Sequence, residues 1–399
     1  MTDDNCTKFN KGNETMTQDN TTISRKKFIE ELRRYEKGSI SRRQFLGTTG
    51  LGTAMAVLGA ALPGLMPGRA MAQDLGDRVV LATWPNYHDA ANFDLFATET
   101  GVFSQVNVFG SNEEMLAKIQ AGGSGWDVFV PTNYAISTYV EAGLIEPLDL
   151  SKLPNYDPAA FDARFADAGT IDGKVYAVPK NWGTTGIASN TAKTGGVVDS
   201  WKTFFDGAKD QFDGRVMVHD YQLTTIGNAL AYFGYSFNSV DPAELAEAEK
   251  LLIEVKPHLF AISSDYQPAM RNGDAWLTMC WTGDGKQLNT DLPEIAFALG
   301  KEGGEIWSDY YAIPVGAPHR EAAYALINYL LAPEVNAREA LAHGYPVADA
   351  RTNALLPEDL LNDPILYPAA EALNALEFGA AVTLTDPNRA ELMARFKSA

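Results

Sequence analysis

The sequence predicts an α/β protein in which a mostly parallel β-sheet is flanked by helices. Short apolar runs rich in β-branched residues alternate with amphipathic stretches of helical length, which is the pattern of repeated β-loop-α units. The chain has 399 residues, a length that favours two lobes over one. Hydrophobic residues make up 46% of the chain, enough for a large core.

The first half of this pattern begins after about residue 75. Strands are predicted at 78–83, 106–109 and 127–130, where apolar residues run between turn signals. Helices are predicted between them, the first ending at Gly101 and the second opening at Ser111 with capping chemistry. Ligands of such sheets bind beyond the carboxyl ends of the strands. The residues predicted at those ends are Trp84, Tyr87, Thr132 and Tyr134.

The second half repeats the theme. Further strands are predicted at 216–219, 275–280, 295–298 and 311–313, and helices at 225–233, 242–256, 321–331 and 334–342. Two extended runs, 175–179 and 186–190, flank Trp182-Gly183 and are interpreted as the passage between the lobes. Residues 148–170 are irregular and punctuated by Pro and Asp, and the carboxyl-terminal region is predicted to be helical.

Residues 1–72 are interpreted as a targeting signal with an extended leader rather than as a domain. Ser41-Arg42-Arg43-Gln44-Phe45-Leu46 resembles the twin-arginine export motif, and an uncharged Gly/Ala/Leu stretch follows it. Ala70-Met71-Ala72 supplies a small-x-small cleavage pattern, so cleavage is expected after Ala72. The alternative is a membrane helix, which the glycines and two prolines of this stretch disfavour. We therefore expect a protein exported to the periplasm.

Charge and cysteine usage exclude several classes of function. Residues 1–72 hold 11 basic and 7 acidic side chains, so the rest of the chain has a formal charge of −23. Such acidity argues against nucleic acid as a partner. Beyond residue 72 Cys280 is the only cysteine, and the five histidines show no metal-ligand spacing. No internal disulfide, metal or cofactor is predicted for the mature chain.

The stretch 303–314 carries the clearest chemical signal. Residues i and i+2 of an extended segment point to the same face, so Trp307 and Asp309 are expected to be presented together. An aromatic ring and an anion on one face suit an organic cation, since the ring contributes about 0.5–2 kcal/mol and the carboxylate accepts the ammonium hydrogens. The alternative is a core tryptophan beside an aspartate that caps a helix or turn.

Six motifs in order resemble the periplasmic binding proteins for spermidine and putrescine that serve ABC importers, over residues 78–399. They are Trp84-x-x-Tyr87, Asp127-Val-Phe-Val-Pro131-Thr-x-Tyr134, Trp182-Gly183, Trp281-x-Gly-Asp284, Glu302-Gly-Gly-x-x-Trp307-x-Asp309 with Ala312-Ile313-Pro314, and Gly344-Tyr345-Pro346. The resemblance implies the type II periplasmic binding protein fold, with two α/β lobes joined by hinge crossover strands around a ligand cleft. It implies a first lobe of residues 73–183 plus 310–352 and a second of 184–309 plus 353–399.

The resemblance also implies roles for individual residues. Trp281 and Trp307 are expected to sandwich a methylene chain, Asp309 to bind an ammonium group, and Tyr345 to close the wall. Asp284 matches an acidic position of the putrescine-binding members, although an aspartate after glycine also suits a helix N-cap. The ligand-binding set is Trp84, Tyr87, Thr132, Tyr134, Tyr221, Trp281, Asp284, Trp307, Asp309 and Tyr345.

Two departures from the family pattern bear on the ligand. The spermidine binders place an Asp and a Glu three residues apart where this sequence has Tyr221 and Thr224, and a Gln where it has about Gly379. A buried ammonium without an anionic partner is costly, and each charge-assisted bond contributes roughly 1.5–3 kcal/mol. The sequence therefore favours a short diamine such as putrescine over spermidine, or a ligand charged at one end and polar at the other.

The expected function is that of a solute-binding protein of an ABC importer, which delivers a small cationic amine to an inner-membrane permease and acts as a monomer. A binding protein for another amine or an amino-acid-like ligand, or a sensor subunit, remains an alternative. An exported enzyme is disfavoured, because the sequence shows no Gly-x-Ser-x-Gly motif and no histidine near a nucleophile.

Overall fold

The computed structural model describes Arg34, residues 75–122 and residues 124–399. The described residues from 75 onward form one compact unit. Apart from Arg34, the predicted leader lies outside the described residues, as do the arginine pair and the cleavage site after Ala72. Within the described part of the chain, no helix combines the length and the apolar character that crossing a membrane requires.

Alternating strands and helices make up this unit, as the sequence pattern predicts. The strands are β1 Arg78–Thr83, β2 Phe103–Val108, β3 Val128–Phe129, β4 Thr170–Ile171, β5 Lys174–Val175, β6 Ala177–Asn190, β7 Val216–Val218, β8 Leu259–Ile262, β9 Leu277–Trp281, β10 Ile295–Ala298, β11 Gly304–Ala312 and β12 Leu376–Phe378. Strands β4, β8 and β12 are not predicted from the sequence, β2 begins three residues before its predicted start, and β11 begins at Gly304 instead of at residue 311. β2 is an edge strand whose side chains are largely exposed, which weakens its apolar signal.

The helices cover the faces and ends of the sheet. They are α1 Ala90–Thr100, α2 Asn112–Gln120, α3 Asn133–Glu141, α4 Ala163–Ala168, α5 Thr191–Thr194, α6 Trp201–Ala208, α7 Gln222–Phe233, α8 Pro242–Val255, α9 Gln267–Asn272, α10 Thr282–Asp291, α11 Arg320–Leu330, α12 Pro333–His343, α13 Ala350–Asn353, α14 Glu358–Leu361, α15 Ala370–Asn374, α16 Val382–Thr385 and α17 Pro387–Ser398. Short 3₁₀ turns lie at Leu150–Lys152, Pro158–Ala160 and Lys256–His258.

One ten-stranded mixed sheet organises the molecule, in the order β2-β1-β3-β11-β6-β9-β7-β8, with β10 beside β6 and β12 beside β11. The strands of each outer part run parallel, β1 with β2 and β3, and β7 with β8 and β9. The central pair is antiparallel, because β11 runs against both β3 and β6, and β6 against β9. Two parallel α/β halves are therefore joined through β6 and β11.

Strand β6 is a single 14-residue strand and buried throughout. The sequence predicts two separate runs here, interrupted near Pro179 and Gly183. The strand is not interrupted, because β6 stays paired with β11 across these residues. The register shifts between Asp309 and Tyr310, which pair with Asn181 and Pro179, so Lys180 is the extra residue on β6. A proline has no N–H to donate to a ladder, and a bulge accommodates it.

Separate apolar clusters pack the two halves. In the first half, Val79, Leu81 and Phe96 belong to a cluster that extends to helix α11. In the second, Trp201, Phe204 and Val216 belong to a cluster that includes Phe396 of the last helix. Trp126 and Trp201, which lie outside the six motifs, are almost fully buried and have packing roles. The first cluster continues into the central strands through Ile306 of β11, beside the polar groups found there.

Candidate functional site

One face of the central strands gathers the residues of the 303–314 stretch. The register sets Glu305 opposite Thr185, Trp307 opposite Gly183 and Asp309 opposite Asn181, and Thr185 in turn opposite Trp281 of β9. Residues directly opposite on neighbouring strands project from the same face of a sheet. Both tryptophans therefore share a face with two carboxylates. Trp182 lies on the other face, where it stacks on Phe165 with ring centroids 5.5 Å apart.

Trp307 takes its place because Gly183 leaves room for it. A Cβ at position 183 would lie 2.5 Å from Cζ2 of the indole, so the ring rests directly against the backbone of β6. The indole also meets Tyr345 edge to face, with ring centroids 5.3 Å apart. Its Nε1 is buried and has no hydrogen-bond partner among the described residues.

Tyr345 reaches the site through the end of helix α12. Gly344 ends that helix in the left-handed conformation at φ 73°, which glycine adopts without strain. The tyrosine ring then lies over Gly283, where a Cβ would be 2.6 Å from its Cζ. Its centroid is 5.5 Å from that of Tyr87, so Tyr87, Tyr345 and Trp307 form a continuous aromatic wall.

Asp309 is buried against this wall. Tyr87 donates its hydroxyl hydrogen to Oδ2 at 2.6 Å, whereas Oδ1 has no hydrogen-bond partner among the described residues. Burial raises the pKa of the carboxyl to about 6, although the hydrogen bond from Tyr87, the neighbouring hydroxyl of Thr132 and the charge of Lys180 lower it. A carboxylate with a spare acceptor, enclosed by rings, is suited to an ammonium group.

Thr132 and Tyr134 lie at the start of helix α3, and Thr132 neighbours Asp309. Thr132 forms an isolated β-bridge with Asp309, and its hydroxyl accepts from Nδ2 of Asn112 at 3.0 Å. The same amide nitrogen donates to the hydroxyl of Tyr134 at 2.8 Å. Asn112 therefore fixes both hydroxyls, of which that of Thr132 belongs to the neighbour of Asp309.

A buried lysine lies on the other side of Tyr87 and is absent from the predicted set. Nζ of Lys180 is 4.1 Å from the centroid of the Tyr87 ring and 3.9 Å from Oε2 of Glu339. Burial lowers the pKa of Lys180 to about 8. Although burial alone would raise the pKa of Glu339, interactions with His88 and Lys180 hold it below its ordinary value. The charges of Lys180 and Glu339 thus offset each other.

Trp281 and Tyr221 form the part of the site beyond Gly183. Nε1 of Trp281 donates to the hydroxyl of Tyr221 at 3.2 Å, and the two rings stack with centroids 6.3 Å apart. The hydroxyl of Thr224 lies 2.5 Å from that of Tyr221 and 3.1 Å from Oε2 of Glu305. Tyr221 and Thr224 are consequently in contact with the site rather than remote from it.

Glu305 is the residue that sequence reasoning misses. Its carboxylate is buried, with 3% of the residue exposed, and accepts from the hydroxyl of Thr185 at 2.7 Å. Burial raises its pKa to about 7; the two threonine hydroxyls lower it, and the charge of Asp309 raises it. The same two-residue period that links Trp307 to Asp309 reaches Glu305 when it is continued one step backwards.

Asp284 and Trp84 lie at the margins of this arrangement. Asp284 accepts from the hydroxyl of Tyr266 at 2.7 Å, and burial raises its pKa. It lies inside the first turn of α10, whose N-cap is Trp281, so the N-cap alternative for this aspartate is wrong. Trp84 donates from Nε1 to the carbonyl of Val130 at 3.1 Å and packs edge to face on Phe109.

Metal chemistry finds no support in the described part of the chain, where no group of three or more His, Cys, Asp or Glu side chains is arranged to hold an ion. Cys280 is a free thiol and is buried. What the site offers is a set of aromatic faces with carboxylates between them.

Comparison with known proteins decides the family. The model of the family described as bacterial extracellular solute-binding protein matches residues 91–368. The chain belongs to this family. It is thus a solute-binding protein rather than an enzyme, and its architecture is the type II periplasmic binding protein fold.

Individual relatives agree with this placement of the solute-binding protein. The chain is 31% identical to the putrescine-binding periplasmic protein SpuD of Pseudomonas aeruginosa (strain UCBPP-PA14), over 80% of this chain and 91% of that protein. It is 33% identical to the spermidine/putrescine-binding periplasmic protein of Escherichia coli (strain K12), over 73% and 83%. A structure titled putative spermidine/putrescine ABC transporter from Listeria monocytogenes aligns at a TM-score of 0.75 with 30% identity, covering 81% and 99%.

Proposed function

We propose that this protein is the periplasmic receptor of an ABC importer and binds a short diamine such as putrescine in preference to spermidine. The observation that carries the proposal is the buried carboxylate of Asp309, which has an oxygen without a partner among the described residues beside the rings of Tyr87, Tyr345 and Trp307. A methylene chain is stabilised when it leaves water for aromatic faces, whereas an ammonium group needs an anion in place of its hydration.

The proposed binding set keeps the ten residues named from the sequence. Asp309 binds one ammonium, and Trp307, Trp281, Tyr87 and Tyr345 cover the methylenes. The remaining members line or support the cleft: Trp84, Thr132, Tyr134, Tyr221 and Asp284. Tyr221 and Thr224 present hydroxyls instead of carboxylates, which is a reason for a long polyamine to bind less well.

Closure over the ligand is proposed to occur between two lobes, residues 73–183 plus 310–352 and residues 184–309 plus 353–399. Strands β6 and β11 pass between the two parallel halves of the sheet, which makes them candidates for hinge segments. A ligand that contacts both halves stabilises the closed form. An inner-membrane permease then recognises closure, and the protein acts as a monomer exported by the twin-arginine route with cleavage after Ala72.

A second candidate ligand is an ω-amino acid of similar length. It is favoured by Lys180, whose Nζ has no hydrogen-bond partner among the described residues and lies on the ring of Tyr87. A carboxylate on the ligand would give that ammonium a partner. Glu339 at 3.9 Å already offsets its charge, which favours the diamine.

A thermal-shift series tests the proposal. A ligand that binds only the folded state stabilises it, by about 2.7 kcal/mol at 100 times its dissociation constant. We expect putrescine to raise the melting temperature more than spermidine, butylamine, choline or 4-aminobutyrate does, and Asp309→Asn to abolish the shift. A larger shift with spermidine contradicts the diamine preference, a larger one with 4-aminobutyrate favours the second candidate, and no shift with any amine overturns the proposal.

A further inference from the structure

The carboxylate of Glu305 stands in an unusual setting for a buried acid. Its hydrogen-bond partners are the uncharged hydroxyls of Thr185 and Thr224. The other charge that acts on it is that of Asp309, which is of the same sign. A buried carboxylate ordinarily has a cationic partner or is neutralised. Here the chain itself supplies no such partner within the described residues that surround it.

Glu305 and Asp309 lie on one face of one strand with Trp307 between them. Pairing with β6 is regular from Glu305 to Asp309, and the register shift comes only after Asp309. At about 3.3 Å per residue, the two Cα atoms are about 13 Å apart. Side chains on one face of a strand project in parallel, so the two carboxylates are separated by a distance similar to that of their Cα atoms. A charge-assisted contact of about 2.8 Å at each carboxylate then leaves about 7 Å between the two bound nitrogens. That spacing fits an extended chain of four or five methylenes.

Two further atoms on this face are without partners. Oδ1 of Asp309 and Nε1 of Trp307 are buried and make no hydrogen bond with any described residue. Asp309 and Trp307 are 4% and 7% exposed, so these are enclosed polar atoms and not surface ones. A buried polar atom without a partner is costly, and a bound molecule that supplies donors removes the cost for the carboxylate.

We propose that Glu305 binds the second ammonium group of an α,ω-diamine whose first ammonium is bound by Asp309, with its methylenes against the Trp307 ring. This inference rests on the proposed function. It assigns the second charge to Glu305, whereas the sequence pointed to Asp284, which already accepts from Tyr266. It also explains the absence of carboxylates at Tyr221 and Thr224. The Thr224 hydroxyl donates a hydrogen bond to Glu305, and Glu305 carries the negative charge in their place.

The same assignment predicts that Glu305 releases a proton when a diamine binds. The groups that act on Glu305 are Asp309 on its own strand, Thr185 of β6 and Thr224 of α7. Burial, with a smaller contribution from the charge of Glu305, raises the pKa values of Tyr221 and Tyr134, which stay neutral. With a pKa of about 7, Glu305 binds about half a proton at pH 7. An ammonium beside it expels that proton, so a diamine releases more protons than a monoamine does.

Isothermal calorimetry with putrescine and butylamine tests this assignment. We expect Glu305→Gln to weaken putrescine binding about 10- to 100-fold and to change butylamine binding less than about threefold. Asp199→Asn is the control, because it removes one negative charge from a partly exposed pair with Lys301 and should change neither affinity measurably. In wild type, buffers of different ionisation enthalpy should show about half a proton more released by putrescine than by butylamine at pH 7.

Each outcome distinguishes the two proposals. Equal losses for both amines in Glu305→Gln, or no loss for either, overturn the role of Glu305 while the amine-binding function stands. Equal proton release by both amines in wild type overturns it as well, and that measurement needs no variant to fold. Failure of wild type to bind either amine overturns the proposed function and this inference together.

Discussion

The hydroxyl of Tyr87 donates to Oδ2 of Asp309 at 2.6 Å, joining a loop after β1 to a strand 222 residues later in the chain. The tyrosine thereby orients the carboxylate and presents its ring to the same space. Because the bond favours the ionised acid, it also counteracts the increase in pKa that burial causes.

Tyr87→Phe should therefore raise the pKa of Asp309 above about 6 while the ring is retained. We expect putrescine affinity to fall about tenfold at pH 6, where the acid becomes largely protonated, and less at pH 8. Calorimetry at both pH values measures this. Tyr139→Phe is the matched control, since its buried hydroxyl has no hydrogen-bond partner among the described residues. An equal loss at the two pH values would contradict the argument.

Gly183→Ala should displace the indole of Trp307. The new Cβ would lie 2.5 Å from Cζ2, and the ring cannot retreat freely because Tyr345 packs against it. We expect a loss of about 1–3 kcal/mol in the free energy of unfolding and a clear loss of putrescine affinity. Gly110→Ala serves as control, because a Cβ there meets nothing nearer than 3.5 Å. Denaturant unfolding measures the free energy of unfolding of both variants, and calorimetry measures their putrescine affinity. Equal effects in the two variants would contradict the prediction.

Ligand-free stability should depend on pH through Glu305. Its pKa is raised from 4.5 to about 7 in the folded protein, so between these values the folded state holds a proton that the unfolded state has lost. The stabilisation from that proton is complete below about pH 4.5 and is lost as the pH rises through about 7. Relative to Glu305→Gln, wild type should become less stable over this window.

Guanidinium unfolding at pH 5.5 and pH 8 measures that difference. The comparison with Glu305→Gln cancels the buried histidines, such as His219 with a pKa lowered to about 3 by burial, which act in the opposite direction. At pH 8 the ligand-free variant should be the more stable protein. A difference between the two proteins that stays constant with pH would show that Glu305 does not titrate as described.

Lys180→Met should strengthen the binding of a cation. The ammonium of Lys180 lowers the pKa of Asp309 and opposes the arrival of a second positive charge beside it. We expect putrescine affinity to rise about 3- to 10-fold. The melting temperature should fall, because Glu339 loses a neighbouring charge in a buried position. Lys193→Met, at an exposed position, is the control. Weaker putrescine binding in Lys180→Met would contradict this argument and would favour a ligand with a carboxylate.

Much of the fold follows from local pattern. The β-loop-α order and the ends of several helices, among them α8 and α11, are predicted because apolar periodicity, capping residues and glycines act within a few residues of each other. Strand β6 defeats such reasoning. Pro179 and Gly183 read locally as breaks, yet pairing with β11 on one side and β9 on the other holds the chain extended. Long-range pairing of this kind has no short-range signal.

The site follows from the sequence only in part. A ring after a strand end indicates Tyr87, and the two-residue period of an extended segment indicates Trp307 and Asp309; the structure brings the three together around one carboxylate. Glu305 and Lys180 are missed because charged residues are rarely buried, so a sequence reading assigns them to the surface. Their burial depends on what lies across the sheet, Thr185 for one and the Tyr87 ring for the other.

Strand β6 shows one face of its pleat to Trp307 and the two carboxylates of β11, and its other face to the core. Asn181, Gly183 and Thr185 lie opposite Asp309, Trp307 and Glu305, while Trp182 between them stacks on Phe165. We therefore expect substitution of the acids on this face, Glu305 and Asp309, to alter the candidate site more than the packing on the opposite face. On the proposed function, exchange of one of these acids changes which amine the protein binds.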